Sequence, residues 1–278
     1  MKTSTSRRIA EFRFYEELND FLPPDKRKRS FAHNFAGTPS VKDSIESIGV
    51  PHSEIDLILV NGESVDFKFR LEGGERVAVY PVFERFDISP LLRLRPRPLR
   101  NPRFILDVHL GKLARYLRLL GFDTLYRNDY EDATIIAISV AQQRIILTRD
   151  VGLLKHGSVT RGYWVRGTRP KRQLQEIIQV FYLNRCLAPF SRCIACNGEL
   201  DSVAKETVLY RLPPRTREHF DEFYECRGCA RIYWAGSHYD RMREWINDLL
   251  ACPATNASAD ACQKIDPRSS TGPGKSEL

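Results

Sequence analysis

The sequence predicts an α/β protein: a parallel sheet with helices on both faces, a small α+β unit in front of it and a four-cysteine metal module behind. Three observations carry that expectation. Short apolar runs alternate with helical stripes between residues 104 and 185, a strand–helix–strand pattern occupies 8–88, and two CxxC pairs, Cys193/Cys196 and Cys226/Cys229, lie between 186 and 250. A length of 278 residues holds two domains and a small module. With 42% apolar and 28% charged residues the composition is that of an ordinary globular protein. No run approaches the roughly 18–20 apolar residues that a membrane span needs, so no membrane partner is expected. The opening stretch MKTSTSRRIAEFRFYEEL is basic but lacks an apolar core, so no signal peptide is expected and a cytoplasmic location is the default.

In the first unit, IAEFRFY alternates apolar and polar residues as a strand does, and VKDSIESIG places Val41, Ile45 and Ile48 on one helical face. DLILVNGESV follows with a turn at Asn61-Gly62, then ERVAVYPVF after Gly73-Gly74. This order predicts a β-grasp, and "VNGESV…GGERVAVYPVF" resembles the ubiquitin-like domains related to bacterial sulfur carriers. Sulfur carriage needs a free C-terminal Gly-Gly, whereas Gly73-Gly74 is internal. A binding or positioning role is expected instead, a protein partner being one candidate.

Residues 89–103, SPLLRLRPRPLRNPR, read as a linker. Pro96, Pro98 and Pro102 favour extended backbone. It is either an RNA-contacting basic arm or a soluble spacer. From 104 to 185 the expected elements are a strand RFIL ending at Asp107, a helix over 110–120, a strand from Thr124 to Tyr126, a helix over 132–143, a strand RIILT, a strand GYWVRG and a helix opening at Pro170. Such an alternation argues for a parallel sheet. The cysteine module occupies 186–250, with ETVLYRL suited to a hairpin between the pairs and YDRMREWINDLL to a closing helix. The tail, 251–278, is small and polar and is expected to be disordered.

Charge is unevenly spread. Residues 91–185 hold 18 of the 43 Lys and Arg but 7 of the 35 acids, while the flanks are near neutral. That basic excess suits a polyanion such as RNA, or is simply a solvated surface.

Parallel sheets place their sites at the carboxyl ends of strands. Asp107 ends the first strand, Asp150 follows the third in "ILTRD", and Asp132 opens the intervening helix. Three carboxylates on one rim repel one another unless a hard cation such as Mg²⁺ or Mn²⁺ joins them. Each also has a plainer role: Asp132 as a helix cap, Asp107 and Asp150 as organisers of the turns that follow. Asp129 and Glu131 are further acids of the same loop. Lys112, in the first turn of its helix, and Arg149, beside Asp150, are placed to meet a phosphate. Arg115 and Arg118 continue that basic face. A receiver-like signalling domain also uses strand-end acids, but it needs a Lys after a later strand, and none stands there.

Two CxxC pairs offer four thiolates, enough to close a tetrahedral Zn²⁺ site with no open position, which is a structural role. A redox pair or an iron–sulfur cluster is the other reading. Gly198 and Gly228 suit tight turns around the metal, and Tyr233, Trp234, His238 and Tyr239 either stack on bases or pack on the neighbouring core.

"FILDVHLGKLARYLRLLGFDT" and "NDYEDATIIAISVAQQRIILTRD", together with the later cysteine pairs, resemble the Mut-seven C-terminal RNase family, a PIN-like group, and the preceding β-grasp resembles the ubiquitin-like domain often fused to it. The resemblance covers about residues 8–245. It implies a PIN-like fold, Asp107, Asp132 and Asp150 as the acidic metal cluster, and a nuclease acting on RNA. His109 departs from the apolar residue expected after "LDV". The rival expectation is a non-catalytic RNA-binding or ribosome-associated adaptor whose acids serve structure alone.

Overall fold

The computed structural model describes residues 7–81, 94 and 102–251. The linker expected over 89–103 and the tail expected over 251–278 lie outside the described residues, apart from 94, 102, 103 and 251.

The N-terminal unit is a five-stranded mixed sheet carrying one helix. Strand β1 (Arg7–Phe14) is followed by two 3₁₀ turns (Glu16–Phe21 and Pro24–Lys26), β2 (Phe31–Ala36), helix α1 (Val41–Ile48), a 3₁₀ turn (His52–Glu54), β3 (Ile55–Val60), β4 (Glu63–Ser64) and β5 (Arg76–Pro81). The sheet order is β2-β1-β5-β3-β4, with β1 and β5 parallel and the other pairs antiparallel. This is a β-grasp. Its period-two face (Ala10, Phe12, Phe14) packs on Val41 and Ile45 of α1, all of them buried. Helix α1 starts in a capping box, Ser40 accepting from the Asp43 amide and Asp43 from the Ser40 amide. Asn61 and Gly62 carry φ of 51° and 91°, which gives the tight β3–β4 hairpin the two left-handed residues it needs. Gly73-Gly74 forms the turn into β5, where the Gly74 amide donates to the Ile9 carbonyl (2.7 Å). Strand β2, FAHNFA, was not among the expected strands: its outward positions are Ala32, Asn34 and Ala36, and it has no β-branched residue to signal a strand.

The second unit contains β6 (Phe104–Leu106), a 3₁₀ turn (Val108–Leu110), α2 (Gly111–Leu119), β7 (Thr124–Leu125), α3 (Asp132–Gln142), β8 (Ile145–Thr148), α4 (Val151–Leu154), β9 (Gly162–Trp164) and α5 (Pro170–Val180). All four strands are parallel, in the order β7-β6-β8-β9. Side chains on the two faces enter separate clusters. Phe104, Leu106, Leu147 and Tyr163 pack with α2 and α5, while Ile105 and Ile146 pack with α3 and α4. The chain runs from β6 outward to β7 and then returns past β6 to β8. The strand order therefore reverses between β6 and β8, and the crevice of such a sheet opens at their carboxyl ends.

The third unit is a three-stranded antiparallel sheet of β10 (Leu200–Val203), β11 (Phe223–Cys226) and β12 (Ile232–Trp234). Between β10 and β11 lie α6 (Lys205–Val208), a 3₁₀ turn (Leu209–Arg211) and α7 (Pro214–His219). The hairpin expected of ETVLYRL is thus a correction: the segment is helical, and Pro213 and Pro214, which end any ladder, follow it directly. Helix α8 (Ser237–Ala251) returns to the parallel-sheet unit, burying Ile246 in its core and setting Trp245 against Tyr116 (4.8 Å between ring centroids).

Both flanking units are fastened to the sheet. His52 Nε2 meets the Val159 carbonyl (2.8 Å), Ser53 Oγ donates to the Leu154 carbonyl (3.0 Å), and the Trp164 amide donates to the buried Glu54 carboxylate. Arg166 reaches back to Asp20 Oδ2 (2.6 Å), the Glu17 carbonyl (3.0 Å) and Glu54 (3.4 Å). No helix among the described residues is long and apolar enough to cross a membrane.

Candidate active site and metal centre

Asp107 leaves the end of β6 and is 6% exposed. Its carboxylate is held from three sides: Oδ1 accepts from the His109 amide (2.8 Å), and Oδ2 accepts from the Thr148 hydroxyl and the Arg149 amide (3.1 Å). Thr148, fully buried at the end of β8, also accepts from the Asp150 amide (2.8 Å), so one hydroxyl bridges the two strand ends that carry the acids. Asp150 is exposed, and its Oδ1 caps α4 through the Gly152 amide (2.7 Å). Asp132 is exposed in the first turn of α3, whose start the β7–α3 crossover brings to the same edge of the sheet. The cap position of α3 is Glu131, which makes no side-chain cap bond. Asp129 is spent on Arg127 (2.7 and 2.9 Å).

The turn-organising roles of Asp107 and Asp150 are therefore real, and each carboxylate is held at its own element end by local donors. Among the described residues, the one set of three or more His, Cys, Asp or Glu side chains whose ligand atoms already converge is the four cysteines; the three aspartates share an edge without that closeness. Their chemistry nonetheless suits a hard cation. A carboxylate offers about four lone-pair sites; Asp107 uses three, Asp150 Oδ2 has no hydrogen bond among the described residues, and oxygen donors are what Mg²⁺ and Mn²⁺ take.

Lys112 is exposed in the first turn of α2. Arg149 is also exposed, and its guanidinium lies along the rim, donating to the carbonyls of Arg166 and Gly167. The His109 side chain is exposed, which explains why no apolar residue is needed there. Arg115 is exposed as well, but Arg118 does not belong to a basic face. It is 4% exposed and donates to the carbonyls of Thr124 (2.9 Å), Ile194 (3.3 Å) and Ala195 (2.9 Å), which ties α2 to the cysteine module. Burial pushes its pKa down, and the nearby thiolates of Cys196 and Cys193 oppose that.

The sulfurs of Cys193, Cys196, Cys226 and Cys229 all lie within 4.8 Å of one another. Sulfur–sulfur distances of 3.7 Å (Cys193 to Cys229) and 3.3 Å (Cys196 to Cys226) compare with the ~3.8 Å edge of a tetrahedron built on Zn–S bonds of about 2.3 Å. The two halves are built alike. Cys193 and Cys226 open tight turns that end in left-handed residues, Asn197 (φ 74°) and Ala230 (φ 55°), whose amides return to the Cys193 and Cys226 carbonyls (2.9 Å each). A Cβ on Gly198 would stand 2.7 Å from Cys226 Sγ, so the close approach of the two halves requires glycine there. Tyr233 hydrogen-bonds Cys193 Sγ (3.0 Å), Trp234 packs beside Phe223 and Val208, and Tyr239 packs tilted against Phe190 (4.3 Å between ring centroids). Of the four residues weighed for base stacking, these three serve packing; the His238 side chain is outside the described set.

Reading by residue type missed Thr148 and Arg166, and it set Arg118 on the basic face rather than in the clamp. Thr148 alone left a trace, as the hydroxyl two residues ahead of Asp150 in "LTRD".

No curated protein and no solved structure matches the chain. The family model described as Mut7-C ubiquitin matches residues 7–87, the β-grasp unit. The model described as Mut7-C RNAse domain matches residues 102–246, from β6 through the cysteine module into α8. With just over half its length so matched, the chain belongs to the Mut7-C RNAse domain family.

Proposed function

We propose that the chain is a metal-dependent ribonuclease that hydrolyses RNA phosphodiester bonds on the rim formed by Asp107, Asp132 and Asp150. The observation that carries this reading is the fixed Asp107 carboxylate at the switch point of a parallel sheet, in a chain matched by an RNase family. Mg²⁺ or Mn²⁺ held by the three carboxylates would supply an activated water and charge neutralisation at phosphorus. Asp107 is the anchor, because its orientation is set before substrate arrives. Asp150 and Asp132 are the exposed ligands that close on the cation. Lys112 and Arg149 hold the phosphate, Arg149 being kept extended along the rim by its carbonyl partners. The four cysteines hold Zn²⁺ structurally. On this reading the chain divides into a β-grasp (8–88), a basic linker (89–103), a PIN-like nuclease (104–185), a zinc ribbon with its closing helix (186–250) and a tail (251–278), and acts in the cytoplasm.

A second reading, a non-catalytic RNA-binding adaptor, is favoured by the capping roles of Asp107 and Asp150. Asp107→Asn separates the two, since Asn still caps a helix but is a poor ligand for a hard cation. Single-turnover cleavage of labelled RNA with Mg²⁺ or Mn²⁺ should fall by about 10²-fold or more in Asp107→Asn, beside a stability loss of about 1–3 kcal/mol where the new amide nitrogen faces the Arg149 N–H. Intact RNA after incubation of the wild-type protein with either ion supports the adaptor.

A further inference from the structure

The geometry points to a second RNA-contact site on the β-grasp unit, a shallow pocket of about 280 Å³ lined by Arg13, Phe14, Tyr15, Glu16, Asn19 and Lys28 that takes one nucleotide of a single strand leading to the rim. This site deepens the ribonuclease reading and rests on it.

The pocket joins cations to a stacked aromatic ladder. Tyr15 lies flat on Tyr80, with ring centroids 4.2 Å apart and planes 11° apart, and the exposed guanidinium of Arg13 extends the stack 5.2 Å from the Tyr15 centroid. A base stacks on a guanidinium plane as it does on an aromatic ring, and the same cation meets the phosphate beside it. Lys28 supplies the second charge. Neither Arg13 nor Lys28 has an acidic partner among the described residues, and Glu16 is the one acid of the lining. A basic run, Lys26 to Arg29, continues from the pocket.

The site is preformed. Asn19 is buried, and its amide donates to the carbonyls of Phe14 and Glu16 (3.0 Å each), while its Oδ1 accepts from the Lys28 amide (2.7 Å). That bond fixes Lys28 in the left-handed region (φ 57°), so its side chain is presented from a braced turn.

The pocket is also connected to the rim. Glu16 and Asn19 share the Glu16–Phe21 turn with Glu17 and Asp20, both of which Arg166 grips, and with Phe21, whose ring meets Trp164 (5.2 Å). The Arg166 carbonyl in turn accepts from Arg149 (3.4 Å), the neighbour of Asp150. The Glu16–Phe21 turn, Arg166 and Arg149 thus form one chain of contacts between the pocket and the rim.

The test uses the full chain and a 5′-fluorescein-labelled single-stranded RNA of mixed sequence, with anisotropy read without added Mg²⁺ or Mn²⁺. Lys28→Asn keeps a residue that tolerates left-handed backbone; combined with Arg13→Gln it should weaken binding about tenfold. The slope of log K against log salt should fall by about 1.4, from roughly 0.7 per phosphate contact. Lys42→Gln with Lys68→Gln removes the same charge elsewhere on the unit and should change affinity less than twofold. Equal losses in the two pairs, an unchanged affinity in the Arg13/Lys28 pair, or no RNA binding by the wild type each overturn the site. Cleavage by the wild-type protein with Mn²⁺, read on the same RNA, tests the ribonuclease reading separately: the pocket can fail while cleavage stands, and cleavage can fail while the pocket binds.

Discussion

Replacing Arg118 with Met removes five N–H donors and keeps an unbranched side chain in the same space. Two of the lost bonds, to the Thr124 and Ala195 carbonyls, are 2.9 Å long, and those to Ile194 (3.3 Å) and Tyr126 (3.5 Å) are weak. A hydrogen bond from a charged donor contributes about 1.5–3 kcal/mol, so the two good ones amount to roughly 3–6 kcal/mol. Relief from burying the guanidinium offsets part of that, which leaves a loss of about 3–4 kcal/mol. At about 2–4 °C per kcal/mol for a unit of this size, melting should fall by roughly 6–16 °C.

The second consequence is at the zinc site proposed for the four cysteines. A zinc bound by four thiolates carries a formal charge near −2, and Arg118 stands beside Cys193 and Cys196 as a buried cation while holding the carbonyls of the two residues between them. Zinc transfer to a colorimetric chelator should therefore be about 10–100-fold faster in Arg118→Met, from one zinc per chain at the start. Arg115→Met, on the exposed side of the same helix, should shift neither quantity beyond about 0.5 kcal/mol. A melting point within about 2 °C of wild type, with zinc release unaltered, would refute the clamp.

Two other predictions follow from buried groups. Thr148→Val removes the hydroxyl that orients Asp107 and satisfies the Asp150 amide; it should cost about 1–3 kcal/mol in urea unfolding and slow single-turnover cleavage at least tenfold, with Thr148→Ser restoring most of both. Glu54 is pushed up to about 7 by burial beneath β9, against the pull of Arg166. Its folded pKa lies above the unfolded value of 4.5, so its contribution is complete below pH 4.5 and is lost as pH rises through about 7. Thermal scans should show the protein losing about 3 kcal/mol from this group between those limits, and Glu54→Gln should flatten that slope; an equal slope in the variant would assign it to other groups.

The elements that could be read from sequence are those whose signal is local. Period two in IAEFRFY, the Asn61-Gly62 turn, the Leu113/Leu117 stripe of α2 and the paired CxxC spacing each encode their own geometry, and each element formed where expected. What stayed hidden depends on partners distant in the chain. Arg118 reads as a solvated charge until the cysteine turn, 76 residues later, folds over it. Thr148 is an ordinary strand end until β6 lies beside β8 and brings Asp107 within reach. Glu54 and Arg166 give no periodic signal because each matters only at the junction of two units. The acids were legible as residues, at the ends of β6 and β8 and at the start of α3, but their spacing was not, since the rotamers of Asp107 and Asp150 are set by capping amides.

The same contacts explain why the small parallel sheet comes with two companions. A four-stranded sheet in the order β7-β6-β8-β9 has two open edges, and open edges invite pairing with other chains. On the β7 side the Thr124 amide donates to Asn197 Oδ1 (2.8 Å) and the Thr124 carbonyl accepts from Arg118, so a residue of the cysteine turn and the arginine that clamps it cover that edge. On the β9 side the Trp164 amide is taken by Glu54 of the β-grasp, and Ser53 holds the Leu154 carbonyl of α4 beside it. Neither edge is closed by another strand. Each is closed by side chains of a neighbouring unit, which satisfy the backbone. Asp107 and Asp150 leave the sheet at the ends of its two middle strands, away from both of the edges so covered.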